Sequence, residues 1–526
     1  MTTLRRHRKL LLYCVAAGAF AQDSAWKAAL DSGRQAMAQA DYRAAERHLE
    51  EALQTCRAMG IQDRRLAETL LSAGALQLAL GRYGEAEANH RDAYAAANQS
   101  LGGDHPVVAG INSHLAELFR LRGSYASVGN NHESAIGVLE EALGPSHPEL
   151  GKALLRRARF RLATGAPVEA LEDARRALEI QKTGLGAQHF EVGLALRDVA
   201  EAQIERGQYL PARPLAEESF RNLEASLGPG HPATAASSDL LARLLLALGK
   251  TGEAQAFAAR SLAGQERLLG SSHPALAGPL LILGATALSR GQLAEAQQSA
   301  DRAVALLRRA TPGGTVELAR AMDQLGEIVL RQGNQSRAGS LFLEARELRR
   351  ELLPSAHADH GESVRTFALL RREQGNPAEA RSMLEEYVNG SERSLGPDHP
   401  NRAAAMSKLA ELCLELQSLA DAARWLRLSL SAREKVLGSA HPVLAKDSRL
   451  LAQVLGAQGQ PDDAISYFEK AIAVLQQSPG SEDEAMLMTL EIYEAFLRRI
   501  GRADQAAVIQ SRASQIRPPA RPGGRP

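Results

Sequence analysis

The stretch LGPDHP, residues 395–400, returns along the chain in near-copies: LGGDHP (101–106), LGPSHP (143–148), LGPGHP (227–232), LGSSHP (269–274) and LGSAHP (437–442). The leading leucine stands at 101, 143, 185, 227, 269, 395 and 437, so every interval is 42 residues or a multiple of 42. Two worn copies, TPGGTV from 311 and LPSAHA from 353, fill the gap after 269. A fixed period of this length marks a stacked repeat array. The motif itself reads as a joint. Glycine directly after the last apolar turn suits a left-handed helix end, and proline suits the first turn of the next helix, where no N–H is needed. Asp104, Ser146, Ser272 and Asp398 are the expected side-chain acceptors at the new N-terminus.

A second landmark recurs inside each unit: glycine at 81, 123, 165, 207, 249, 291, 333, 375, 459 and 501. Apolar residues at helical spacing run for about four turns on either side of it, as in GQLAEAQQSADRAVALL (291–307), so each unit is predicted to be a helix–turn–helix hairpin. Small residues keep three columns. One lies seven residues before the turn glycine (Gly74, Ala116, Ala158, Ala200, Ala242, onward). The others lie in the second helix, at Ala45, Ala86, Ala170, Ala212 and their successors, and at Ala52, Ala93, Ala135, Ala177 and theirs. Larger side chains there would hold the helices farther apart than the ~8–10 Å of close packing. Two units break the pattern: YASVGNNHESAIG (125–137) disturbs a second-helix start, and Tyr387 occupies a small-residue column. A bend or opening is expected near 125–132.

Composition agrees with helix throughout: 45% of the 526 residues are hydrophobic but only 4% aromatic. The formal charge is +1, with no basic patch interleaved with aromatics, so nucleic acid is not an expected partner. Arg5, Arg6, Arg8 and Lys9 precede the apolar run Leu10 to Ala21, which ends in a small-x-small pattern. This reads as a signal peptide over 1–21. Its removal would leave 58 basic and 61 acidic residues and no further membrane span. The expected division is a signal over 1–21, a solenoid over 22–516 and an Arg/Pro tail over 517–526, and the expected location is the periplasm or the cell exterior. Cys56 and Cys413 lie too far apart in a repeat array to be expected to touch, and both read as small core residues.

The spacing small–x6–Gly–x4–Ala–x6–Ala resembles that of tetratricopeptide (TPR) repeats. The 42-residue period with LGPDHP linkers is similar to the long repeats of kinesin light chains and many bacterial TPR proteins. The resemblance implies an all-α, right-handed superhelical solenoid of about twelve antiparallel hairpins, whose concave surface is lined mainly by first helices.

A row of linker histidines invites a metal reading. Successive rungs would be roughly 10 Å apart, whereas zinc needs its ligands ~2 Å from one centre. No metal or other cofactor is expected, the denser set His357, Asp359 and His360 included. GKT at 249–251 lacks the upstream glycine of a phosphate loop, and no acid, base, nucleophile or metal constellation indicates an enzyme. Function is therefore sought on the concave face. Two first-helix columns should line it: Ser113, Leu155, Arg197, Asp239, Leu281, Asp323, Arg365, Ser407, Arg449, and Glu117, Arg159, Glu201, Arg243, Ala285, Glu327, Leu369, Glu411, Gln453. Their charges alternate from rung to rung. Such alternation fits inter-repeat ion pairs, and equally a mixed-charge groove for a protein or peptide segment. The expected partner-binding residues are Arg159, Arg197, Glu201, Asp239, Arg243, Asp323, Glu327, Arg365, Glu411 and Arg449. The expected role is a non-catalytic scaffold that binds a partner segment in the groove. The alternative is a structural spacer or assembly subunit of a cell-envelope complex.

Overall fold

The computed structural model describes residues 23–128, 130–354, 357–477 and 483–516. The expected signal at 1–21 and the tail at 517–526 lie outside the described residues. Among the described residues there are 25 α-helices and no strand. Twenty-four of them pair into twelve antiparallel hairpins, from the helix over 23–38 with Tyr42–Ala58 to Asp483–Arg499 with Ala503–Ile516, and the short helix Glu392–Leu395 extends Pro377–Gly390.

The three small-residue columns lie where the helices cross. Ala116, Ala200 and Ala242 of the first helices, and Ala86, Ala170, Ala212, Ala254 and Ala296 of the second, are completely buried. Where one helix carries a ring, its neighbour answers with glycine. A side chain on Gly326 would meet the ring of Phe342, and one on Gly361 would meet the ring of Tyr387. Tyr387 is thus no defect in its column, because the helix opposite has given up a Cβ to seat it. The 125–137 stretch is irregular as expected: a 3-10 turn over Tyr125–Ser127 precedes a shortened helix, Asn131–Leu143. Pro279 lies in the first turn of Ala277–Ser289, after a 3-10 turn over Pro274–Leu276, where its missing N–H costs little.

The joints differ from expectation in two ways. First, the N-cap is the histidine, not the aspartate or serine before it. Nδ1 of His105, His147, His189, His231, His273, His357, His399 and His441 accepts the backbone N–H two residues on, at 3.1–3.2 Å. The short aspartate or serine precedes the extended residue that actually faces the helix end. Second, the linker glycines are not left-handed helical: Gly396 has φ 84° and ψ 163°, a mirror-image extended conformation open essentially to glycine alone. The left-handed helix end sits instead at the turn within each unit. At Gly81 (φ 71°), Arg82 N–H donates to Gln77 and Gly81 N–H to Leu78, a Schellman pair. Ala40 and Gln417 occupy the same turn position with φ of 57° and 60°.

The array also coils back on itself, contrary to the expectation that distant segments stay apart. Turn glycines of early units abut the linkers of units almost 200 residues later. A Cβ on Gly81 would stand 3.1 Å from Pro274, one on Gly165 2.7 Å from His357, and one on Gly249 2.8 Å from Pro442, while Gly207 lies against Pro400. His399 and His441 reach the carbonyls of Glu205 and Ala247 through Nε2, at 3.3 and 3.0 Å, each spanning 194 residues. One turn of the superhelix therefore takes roughly four and a half units, and successive turns touch along a seam. Cys56 and Cys413 are free and fully buried, each inside its own hairpin core.

Candidate functional site: the lumen of the superhelix

Because the turns close on one another, the concave face becomes the wall of a lumen. A cavity of about 600 Å³ opens there. One wall comes from the first helices Pro106–Leu121, Pro148–Ala163, Phe190–Glu205 and Pro232–Ala247. The lining continues through Ala277–Ser289 of the next unit to Val316–Arg331, which faces Pro106–Leu121 about one superhelical turn on. Five expected residues, Arg159, Arg197, Glu201, Asp239 and Arg243, line this single cavity. Arg120, Tyr125, Glu205, Glu317, Arg320 and His357 also line it and were not expected. Arg120 and Glu205 follow column residues by three and four positions, a helical spacing that marks the same face. Arg320 of the opposite wall stands three residues before the column residue Asp323 and seven before Glu327, the same helical spacing.

The wall is an interlocked set of charges. Arg159 donates to Asp198 at 2.8 Å and lies 3.7 Å from Glu117 of the previous unit. Arg197 binds the other oxygen of the fully buried Asp198 at 2.8 and 3.0 Å. Arg243 reaches Glu201 at 3.3 Å and Glu205 at 3.6 Å. Arg120 grips Glu117 with two bonds of 2.8 and 3.0 Å, and Arg320 grips Asp359 with two of 2.9 and 3.1 Å. Burial alone would raise the carboxyls of Glu117 and Asp359, but Arg120 and Arg320 overcome it and hold each at about 2. Among the described residues Asp239 has no such partner. Its Oδ2 accepts from Gln265 at 3.0 Å, and burial pushes its carboxyl up to about 7.

The two expected columns fare differently. Of the column through Glu117 and Gln453, Glu117, Arg159, Glu201 and Arg243 face the cavity. The column through Ser113 and Arg449 mostly packs between neighbouring first helices: Ser113, Leu155, Asp323 and Ser407 are each at most 3% exposed. From that column Arg197, Asp239 and Leu281 reach the open space. Asp323 is drawn inward by the completely buried Arg349 at 2.5 Å and presents nothing to a partner. Farther along, Arg365 pairs with Glu327 at 3.2 Å, and Glu411 with Lys446 at 2.6 Å and Lys408 at 3.3 Å. This second charged cluster is set apart from the cavity. Arg449 has no carboxylate within ion-pair distance among the described residues.

The denser His357 set is occupied by structural contacts. His357 accepts the N–H of Asp359, the residue before the helix His360–Glu373, Asp359 holds Arg320, and Nε2 of His360 lies 3.0 Å from the carbonyl of Pro354. Among the described residues no three His, Cys, Asp or Glu side chains converge as metal ligands.

Tetratricopeptide-repeat profiles match residues 191–267, 362–435 and 407–477, and a second profile of the same repeat matches 66–107 and 318–359, together just over half of the chain. The chain belongs to the tetratricopeptide repeat family. Members of this TPR family generally act as non-enzymatic protein–protein interaction scaffolds. Among solved structures, this TPR chain is similar to a Rap protein complexed with Competence and Sporulation Factor. The two share 14% identity over 70% of this chain and 98% of that one, with a TM-score of 0.53, a likeness of fold. It is also similar to a kinesin light chain protein of Podospora anserina with nearly identical TPR-like repeats (24% identity, 39% of this chain, 97% of that one, TM-score 0.31). BtubC (BKLC) from P. vanneervenii matches at 20% identity over 44% of this chain and 92% of that one, with a TM-score of 0.34. No curated protein sequence matches the chain. No helix among the described residues is long and apolar enough to cross a membrane.

Proposed function

We propose that this TPR protein is an exported scaffold whose lumen binds an extended segment of a partner protein. The observation that carries the reading is the cavity of about 600 Å³, walled by Arg159, Arg197, Glu201, Asp239 and Arg243 on one side and by Glu317 and Arg320 on the other. A lumen with both signs of charge suits a chain carrying alternating charges, or one whose backbone amides take up the guanidinium and carboxylate edges. Export rests on the basic and apolar pattern of residues 1–21. The spacer reading draws support from a different observation: most lumenal charges already satisfy one another, and the turns are sealed along the seam.

The test is capture of partners from a cell-envelope extract by the wild-type chain and by Arg197→Glu/Arg243→Glu, with Arg308→Glu on the outer surface as control. Selective loss of the same captured protein in the lumenal variant supports groove binding. Unchanged capture excludes it and favours the spacer. Export is tested by fractionating cells that express the chain with and without residues 1–21. Retention of both forms in the cytoplasm would rule it out.

A further inference from the structure

We infer that the seam between superhelical turns is a pH-sensitive latch, and that protonating its histidines parts the turns and opens the lumen along its side. The geometry of the rings carries this. At each linker Nδ1 accepts a backbone N–H, so in the neutral ring the proton sits on Nε2. In the seam that Nε2–H points across to the preceding turn. His399 and His441 bond the carbonyls of Glu205 and Ala247. His231, His273 and His357 face the equivalent carbonyls of Ala38, Ala79 and Leu162. His399 and His441 thus clamp their own helix with one nitrogen and the turn below with the other, whereas, among the described residues, Nε2 of His273 and His357 is buried against the turn below without a hydrogen bond. A second proton can enter only at Nδ1, where a backbone N–H already points. Two donors would then oppose each other, and the ring must leave its seat.

The surroundings offer the extra charge little compensation. His399 is faced by Glu205 and Arg402, and His441 by Arg433. His357 is faced by Asp359, Arg320 and Glu205. Asp359 is already gripped by Arg320, and Glu205 lies 3.6 Å from Arg243. His231 and His273 meet only the backbone carbonyl. Burial accordingly pushes all five rings below the ordinary histidine value. The unfolded or released ring takes up its proton near 6.5 and the seated ring only at lower pH. The released state therefore binds more protons in that window. The seam is at full strength above about pH 6.5 and weakens as the pH falls below it. The inference stands whether or not the lumen holds a partner.

Histidine-to-asparagine exchange separates the latch from the cap, because asparagine is a good N-cap but too short to cross the seam. Small-angle scattering of the full chain at pH 7.5 and pH 5 reads the overall dimensions, with far-UV circular dichroism to confirm that helix content is kept. The wild type is expected to lengthen at pH 5. H357N/H399N/H441N is expected to be longer already at pH 7.5 and to change less on acidification. H105N/H147N/H189N, altered at linkers outside the seam, is expected to follow the wild type. Constant wild-type dimensions between the two pH values would overturn the latch without recourse to any variant. So would a seam variant as compact as the wild type at pH 7.5. A seam variant that expands on acidification as much as the wild type would assign the effect to the carboxylates instead.

Discussion

The first superhelical turn and the turns above it use one linker for different work. His105, His147 and His189 cap their helices and are half-exposed, and among the described residues no earlier turn lies beneath them. His231, His273, His357, His399 and His441 make the same Nδ1 bond to the N–H two residues on and also bear on the turn below. The turn glycines show the mirror image of this division. Gly81, Gly165, Gly207 and Gly249 are covered by a later linker, whereas a Cβ on Gly333, Gly375, Gly459 or Gly501 would meet nothing within 4 Å. An identical motif thus acquires a second role from its place in the coil.

The sharpest way to break this contrast is to add one methyl group on each side of it. Gly459→Ala is expected to cost about 1 kcal/mol, the penalty of a side chain at positive φ. Gly207→Ala bears the same penalty and also drives a Cβ into Pro400, an overpacking worth a further ~1–3 kcal/mol. Urea unfolding followed by hydrogen exchange in the 200–210 and 395–405 segments measures both; equal losses would mean that the seam is not tightly packed. The next contrast is His441→Ala against His147→Ala. Each loses a cap worth ~1 kcal/mol, but only His441→Ala also loses the bond to Ala247, worth about 1 kcal/mol more. Faster exchange at the Gly249 turn should accompany that variant alone. Gln417→Gly should raise stability by about 0.5–1 kcal/mol, because Gln417 holds a φ of 60° in an uncovered turn. A stability loss there would show that the glutamine side chain contributes more than its backbone costs. The smallest effects belong to the outer surface, where Arg176–Glu140 and Arg308–Glu344 each close at 2.6 Å across 36 residues. Arg176→Gln and Arg308→Gln should each cost below about 0.5 kcal/mol, equally in both regions, and nothing in 1 M salt.

The period of 42 was legible because joints and contact columns recur at fixed offsets, and twelve hairpins follow from it. The superhelical interval of 194 was not. It arises from small rotations between neighbouring hairpins and is not a multiple of the repeat, so no column of the sequence marks it. For the same reason the wall made by Arg159, Arg197, Glu201 and Arg243 was legible from helical spacing, and so was the face of Arg320, three residues before Asp323, but not that Glu317 and Arg320 would stand opposite that wall. Asp323 shows a third limit. Its position on the first helix matched a column read as lumenal, but Arg349, reaching in from the second helix of the same unit, fixes which way the carboxylate turns. The histidine cap was hidden by neighbours that are better known N-caps, although the linker places the imidazole itself at the extended residue.

The seam also sets how such a chain can change length. Each seam linker rests on the turn five hairpins earlier, whichever hairpins those are, so removing or duplicating one complete 42-residue unit hands every seam linker to an equivalent seat. Adding a few residues inside a hairpin does not, because all linkers on one side of the insertion would slide off their seats together. The molecule is therefore extensible only in whole quanta, like a course of bricks that accepts another brick but not half of one.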